Sequence, residues 1–339
     1  MSIRVSVVVP TYKRPQLLAK CLGALIRQDF PPEAYEIIIV DDAVSEETRA
    51  LVEKFSGEWK AKITEPASDP GSEAGLLPEI RYAAAADTQG PAAARNLGWR
   101  MARGGIIAFT DDDCLPERDW LKEGCAAIES GFDAVSGQMI VPISSPPTDY
   151  EKNIARLAEG EFVTANCFIR RCVLESCGGF DERFRMAWRE DSDLHFRILD
   201  LSYKHGRAPA ARVVHPVRQA PWGVSIKEQR KSMFNALLYK KYPALYRSRI
   251  QAHAPWNYYA IVFAFLGFLA AALAGYKIPA GGFALSWMGL TLHFASRRLR
   301  QTSHTFGHIL EMLYTSLLIP PLSIFWRLYG AFHYRVFFF

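Results

Sequence analysis

The sequence predicts an α/β fold with a mostly parallel central sheet, continued at its C-terminal end by transmembrane or interfacial helices. Buried-type apolar runs (Val5 to Pro10, Glu36 to Asp41, Ile106 to Thr110) alternate with helical segments, the pattern of parallel strands covered on both faces. Two of these runs end in carboxylates, Asp41-Asp42 and Asp111-Asp112-Asp113. Charged residues are spread over the first two thirds of the chain, whereas Tyr258 to Gly275 and Ile278 to Ser296 contain none.

Each element follows from local signals. After the Val5 to Pro10 strand, Pro15 opens a helix with Leu17, Leu18, Cys21, Leu22 and Leu25 on one face. Glu36 to Asp41 is the second strand and Glu46 to Phe55 a polar helix. A Pro/Gly/Ser-rich loop from Glu65 to Pro78 precedes a short strand near Ile80 to Ala83. Gly90-Pro91 opens an Ala-rich helix that Gly104-Gly105 terminates before the Ile106 to Thr110 strand. Beyond Asp133, short strands (Ala134 to Val141, Phe162 to Arg170, Arg212 to His215) mix with helices. Gly178-Gly179-Phe180-Asp181 reads as a turn, and Arg189 begins an acid-rich helix with Leu194, Ile198 and Leu201 as its buried stripe.

Half of the 339 residues are apolar and the formal charge is only +5. No nucleic-acid partner is expected. Six cysteines occur without a C-x-x-C pair, which indicates neither a zinc site nor a redox motif. Met1-Ser-Ile-Arg leads directly into an apolar strand without a signal peptide, so reduced, structural thiols and a cytoplasmic location for this domain are expected.

Ligands of open α/β sheets bind beyond the carboxyl ends of the strands, where both acidic clusters fall. Side chains alternate along a strand, so Asp111 and Asp113 are expected to project to one side and Asp112 to the other, a D-x-D arrangement. Hard oxygen ligands so placed suit Mg²⁺ or Mn²⁺ carrying phosphates, although a solvated acidic turn has the same sequence. The Glu190-Asp191 pair has two readings as well. Acids in a first helical turn are favoured by the helix dipole, and they are also candidates for proton transfer.

The two charge-free runs each approach the roughly 20 residues needed to cross a bilayer. Only Tyr276-Lys277 separates them after Gly275, which suits a hairpin. Basic residues flank both ends (Lys240, Lys241, Arg247 and Arg249 before; Arg297, Arg298 and Arg300 after), so both flanks are expected in the cytoplasm. A third segment, from Met312 to Trp326, is interrupted by Pro320-Pro321 and rich in aromatics, and reads as interfacial or re-entrant. The expected organisation is a catalytic domain over 1–250 and a membrane region over 251–339, with spans near 257–275 and 278–296 and the third segment near 309–330.

Val9-Pro-Thr11-Tyr-Lys-Arg14, Val40-Asp41-Asp42, Gly90-Pro-Ala-Ala-Ala-Arg95-Asn96, Asp111-x-Asp113, Gly178-Gly-Phe-Asp181 and Glu190-Asp191 occur in this order. Order and spacing resemble the family 2 glycosyltransferases of the GT-A fold over about residues 1 to 245. The resemblance implies that Thr11, Tyr12 and one or both of Asp41 and Asp42 hold base and ribose. Arg95-Asn96 would approach the nucleotide, Arg95 alternatively bonding Asp42, and Asp112 is counted with the same group. Asp113 with Asp111 would hold Mg²⁺ or Mn²⁺ on the diphosphate. Asp191 would be the catalytic base of an inverting displacement, with Glu190 positioning acceptor or base. His215 is either a third metal ligand or a packed strand-end histidine, and Trp188 and Trp222 stack on sugar or merely pack.

The Q-x-x-R-W motif of processive synthases is missing, the nearest text being Gln229-Arg230-Lys231-Ser-Met-Phe. The resulting expectation is a metal-dependent transferase at the inner membrane, its catalytic domain facing the cytoplasm. It would move a sugar from a UDP- or dTDP-sugar to a lipid-linked or glycan acceptor in envelope polysaccharide or glycolipid synthesis. The rival readings are a nucleotidyltransferase, against which the absence of a Gly-rich phosphate loop speaks, and a catalytically silent nucleotide-sugar-binding scaffold.

Overall fold

A computed structural model describes residues 2–64, 77–86 and 89–338. The chain divides into two compact units, Met1–Pro142 with Leu157–Pro216, and Ile143–Arg156 with Val217–Phe339.

The first unit is built on one sheet. Its strands are β1 (Val5–Thr11), β2 (Tyr35–Asp41), β3 (Glu79–Ala84), β4 (Ile106–Thr110), β5 (Leu115–Pro116), β6 (Ala134–Ile140), β7 (Asn166–Arg170) and β8 (His205–Val214). The order is β3-β2-β1-β4-β7-β6-β8-β5. β3, β2, β1 and β4 are mutually parallel, β7 runs antiparallel to β4 and β6, and β8 is parallel to β6. The expected mostly parallel α/β sheet is therefore present. Register matters here: Thr11 pairs with Asp41 and Asp41 with Ala84, so the carboxyl ends of three strands finish on one rung.

Strands buried on both faces need apolar side chains of both parities. Val5, Val7, Val9, Ile37 and Ile39 pack on one face, whereas Val8, Ile38, Val40, Ile107 and Phe109 pack on the other. The first face is covered by α1 (Pro15–Leu25), through Leu18, Leu22 and Leu25, and by α4 (Trp120–Glu129), through Trp120 and Leu121. The second is covered by α3 (Pro91–Met101), α6 (Arg171–Cys177) and α7 (Glu190–Asp200). Helix α2 (Glu46–Thr64) joins β2 towards β3. The loop expected at Glu65 to Pro78 falls outside the described residues over 65–76.

β8 begins at His205, well before the expected Arg212, because β6 offers it a long parallel edge with one register shift at Gly137/Gln138. β7 starts at Asn166 and not at Phe162. Leu194 and Ile198 are buried as expected, but Leu201 is 46% exposed: α7 ends at Asp200, so Leu201 leaves the helical stripe.

The second unit is helical: α5 (Asp149–Ala155), α8 (Val224–Glu228), α9 (Phe234–Lys241), α10 (Pro243–Arg249), α11 (Trp256–Leu273), α12 (Lys277–Leu299) and α13 (Phe306–His333). Thr148 caps α5 in a reciprocal capping box with Glu151. Among the described residues, two helices are long and apolar enough to cross a membrane, α11 and α13. α11 covers the first expected span and α12 the second, while α13 covers the segment expected to be interfacial or re-entrant. α12 carries Lys277 at one end and Arg297 and Arg298 at the other, with polar and glycine positions between, whereas α13 runs unbroken through Pro320 and Pro321. Proline removes one N–H donor per ring without forcing a chain reversal, and an apolar helix whose freed carbonyls find other partners continues past it.

Glycine is required at Gly124, where an added Cβ would lie 2.1 Å from the Phe168 ring. Gly124→Ala is expected to lower the unfolding midpoint, by about 1–3 kcal/mol of overpacking. Gly105→Ala, with nothing within 4 Å of its added methyl, should leave the midpoint unchanged in the same thermal melt.

Candidate active site

The carboxyl ends of β1, β2 and β4 bring most of the expected residues together. Thr11 donates its hydroxyl to Asp112 Oδ2 at 2.7 Å, and Arg14 Nη1 donates to Asp112 Oδ1 at 2.9 Å. Asp112 is thus a buried clasp between β1 and the turn after β4. Burial pushes its carboxyl up to about 6, against the pull of Arg14 and Thr11.

Asp41 and Asp42 have different duties. Asp41 is fully buried and accepts from the Ala43 and Ser45 N–H groups at 2.9 and 2.6 Å and from the Tyr82 hydroxyl at 3.1 Å, so it shapes its own loop. Asp42 accepts the Gly90 N–H, 3.0 Å from each oxygen, and burial raises its pKa. Gly90 has φ +108°, and a Cβ there would lie 2.9 Å from the Arg185 carbonyl oxygen, so this joint accepts glycine only. Tyr12 is half exposed beside them.

β4 ends at Thr110, and all three acids lie in the turn after it, so strand alternation does not govern their directions. Asp111 Oδ1 accepts from Arg95 at 2.7 Å. Asp113 Oδ1 lies 3.6 Å from His215 Nε2, and its Oδ2 lies 3.7 Å from Arg14. The ligand atoms of Asp113, Cys114 and His215 all fall within 4.8 Å of one another. Strand pairing makes this possible, since Leu115, which follows Asp113-Cys114, lies opposite Val214, which precedes His215, in the β5–β8 ladder.

A hard divalent cation fits Asp113 and His215: a carboxylate oxygen and an imidazole nitrogen 3.6 Å apart can both reach one ion. His215 is buried, and its Nδ1 has no hydrogen-bond partner. Cys114 is a poorer candidate. Burial, and then the nearby Asp111 and Asp113, raise its thiol pKa well above the ordinary value, leaving a neutral soft donor.

Arg95 is the hub. Its guanidinium is 3% exposed and bridges Asp111 and Glu190, with Nη1 3.1 Å from Glu190 Oε1. The alternative bond to Asp42 is not made. Asn96 is 1% exposed, donates to the Phe180 carbonyl at 2.9 Å and accepts the Phe180 N–H at 2.8 Å. That pair locks the Gly178-Gly179-Phe180-Asp181 turn, in which both glycines have positive φ. Asp191 stands in the first turn of α7, its Oδ1 accepting from the Ser192 N–H at 2.6 Å. Arg189 precedes it at φ +76°, a strained value for a side-chain-bearing residue, with its guanidinium over the exposed Trp188 ring. Trp222, in the helical unit, donates to the Gly307 carbonyl and stacks on Tyr314, which is a packing role.

A model of glycosyl transferase family 2 matches residues 6–180. The chain belongs to that family. Glycosyltransferase AglE of Haloferax volcanii is 27% identical over 237 residues, 66% of this chain and 70% of AglE. Probable glycosyltransferase YdaM of Bacillus subtilis is 26% identical over 228 residues, 61% of this chain and 49% of YdaM. Among solved structures, the mannosyltransferase PcManGT from Pyrobaculum calidifontis, in complex with GDP-Man and Mn²⁺, superposes with a TM-score of 0.59 at 22% identity, covering 94% of this chain and 88% of that one. The family 2 glycosyltransferase is therefore a nucleotide-sugar enzyme, and its fold is GT-A.

Two contributors of this transferase escaped the sequence reading. Arg14 was visible only as the end of the Thr11-Tyr-Lys-Arg motif, and its reach to Asp112 and Asp113 depends on β1 and β4 being neighbours. Arg189 carried no signal, since positive φ outside glycine and asparagine is not encoded in a short motif.

Burial, reinforced by Asp191, raises the Glu190 carboxyl from 4.5 to about 7, and the Arg95 charge only partly opposes this. A raised carboxyl favours the protonated folded state, so its contribution is full below pH 4.5 and is lost as pH climbs through about 7. The wild type should therefore melt at lower temperature as pH rises across that window, and Glu190→Gln should melt with a shallower slope.

Proposed function

We propose that the enzyme is an inverting, divalent-metal-dependent glycosyltransferase that takes a nucleotide diphosphate sugar from the cytoplasm and glycosylates a membrane-held acceptor. The carrying observation is Asp191 at the start of α7, next in sequence to Glu190, which Arg95 ties to the acidic turn after β4. A sugar hydroxyl is a poor nucleophile until its proton leaves, and Asp191 is the carboxylate to receive it at Oδ2 while Ser192 steadies Oδ1. A single displacement inverts the anomeric centre. Glu190, held by Arg95, positions α7 and the acceptor.

Asp113 and His215 would hold the metal, which supplies neutralising charge for the departing nucleoside diphosphate. Thr11, Tyr12 and Asp42 would border base and ribose, with Asp41, Asp112 and Arg95 supporting those loops from behind. The GDP-Man and Mn²⁺ named for the Pyrobaculum mannosyltransferase support a nucleotide-sugar and Mn²⁺ reading, and add a guanosine donor to the uridine and thymidine ones.

Membrane association rests on the length and apolar composition of α11 and α13. With the Lys240, Lys241, Arg247 and Arg249 flank on the cytoplasmic side, residues 1–250 form the cytoplasmic catalytic domain and 251–339 the membrane region at the inner membrane. The acceptor is then a lipid-linked or glycan intermediate of envelope synthesis.

The test is release of nucleoside diphosphate and sugar transfer to membrane lipid extract, across a panel of nucleotide sugars with and without Mn²⁺. Asp191→Asn is expected to keep donor binding and to lose roughly 10²–10⁴-fold in turnover, the worth of a general base. Retained cellular function in that variant would indicate a silent scaffold instead. Asp113→Ala is expected to abolish the dependence of donor binding on Mn²⁺, measured by calorimetry with the nucleotide alone.

A further inference from the structure

The helical unit holds a cavity of about 920 Å³ that the transfer reaction as described leaves without a role. Its wall is mixed. It is lined by aromatic and aliphatic side chains, among them Tyr258, Phe294, Met312 and Ile319 on α11, α12 and α13, and by polar ones from α5 and the ends of α8 and α12.

The carboxylates of the lining are already engaged. Asp149 pairs with Arg298 at 2.8 Å, and Glu151 accepts from Ser144 and Thr148 in the capping box. Glu228 pairs with Lys231, and Glu311 accepts the Gly223 N–H at 2.7 Å. Several donors are left over. Arg156 and Arg297 line the cavity without a carboxylate partner among the described residues, and Lys152 donates only to the neutral Arg300 carbonyl and Gln301 amide oxygens. His308 is 7% exposed, and neither ring nitrogen has a hydrogen-bond partner; its Nδ1 lies 3.8 Å from Glu311, beyond bonding reach. A buried polar ring left unsatisfied is costly, and it marks a place where a ligand group belongs.

Satisfied acids and surplus donors select an anion, and the apolar lining selects one carried on a hydrocarbon chain. We propose that this cavity binds the phosphate or diphosphate head of a lipid, with Arg156, Arg297, Lys152 and His308 facing the phosphate oxygens and Phe294 and Ile319 facing the first part of the chain. Guanidinium groups bind phosphate with paired, charge-assisted hydrogen bonds, and Arg298, held by Asp149, Thr315 and Ser316, fixes the end of α12 that presents Arg297. The lipid's role as sugar acceptor rests on the function proposed above; the site itself does not.

The experiment titrates the detergent-purified full chain, with no donor present, with farnesyl phosphate, farnesol and inorganic phosphate by calorimetry. Saturable binding of farnesyl phosphate is expected, with farnesol and inorganic phosphate each much weaker. Arg156→Gln and Arg297→Gln should each weaken it by roughly tenfold, the worth of one charge-assisted contact. Both side chains lack a carboxylate partner, so an unchanged melting temperature is expected and separates lost binding from lost fold. Equal affinity for inorganic and farnesyl phosphate would overturn the lipid in favour of free phosphate. Absent binding, or binding indifferent to both substitutions, would overturn the site. Because no nucleotide sugar enters the titration, those results leave the transferase reading standing, and a failure of sugar transfer leaves the titration standing.

Discussion

A guanidinium almost wholly removed from water must be paired, and the pairing of Arg95 organises the catalytic unit. Its bonds to Asp111 and Glu190 tie α3, the turn after β4 and the start of α7 to one point. Removing one partner of a buried ion pair leaves an uncompensated charge that costs several kilocalories, so the three elements hold one another in register. The Arg95 pKa is raised because Asp111 and Glu190 outweigh burial, whereas at Glu190 burial outweighs the attraction to Arg95. Burial thus opposes ionisation of Glu190 even beside a guanidinium.

Around that hub the acidic residues divide their labour by direction. Asp41 and Asp112 face inward and spend their oxygens on loops and strand ends, which fixes where their neighbours lie. Asp113 turns towards His215. Neighbouring carboxylates that would repel as a cluster are thereby each given a local counterpart, in backbone N–H groups, arginine or histidine.

How much of this was legible in the sequence depends on the range of the interaction. Strands β1, β2 and β4 were readable because each is a nearly continuous apolar run bounded by proline, glycine or acid, all local signals. The Gly178-Gly179 turn was readable for the same reason, though its lock on Asn96 was not. The expected D-x-D geometry assumed a strand that persists through Asp113; β4 stops at Thr110 instead, and a turn redistributes the three acids. β8 was seen only at its end, because Arg207 to Ala211 has little apolar periodicity and takes strand form from its pairing with β6. Pro320-Pro321 misled in the opposite sense, since a local breaker was overridden by the apolar helix around it. Arg14, Arg95 and His215 meet partners far along the chain, and such meetings are written in the topology of the sheet.

The two-residue strand β5 has an effect out of proportion to its length. By pairing Leu115 with Val214 it closes a long segment of chain, and together with the β6–β8 ladder that closure makes Asp113 and His215 neighbours. The parallel strands before it assemble from nearby segments, while this last rung must await the arrival of β6, β7 and β8. Non-local pairings are the slow part of folding, since chain entropy is lost before contacts repay it. A chain lacking β8 would therefore keep the loops at the ends of β1 and β2 and still lack the pairing that brings Asp113 to His215, so the proposed cation site is complete only when the whole sheet is.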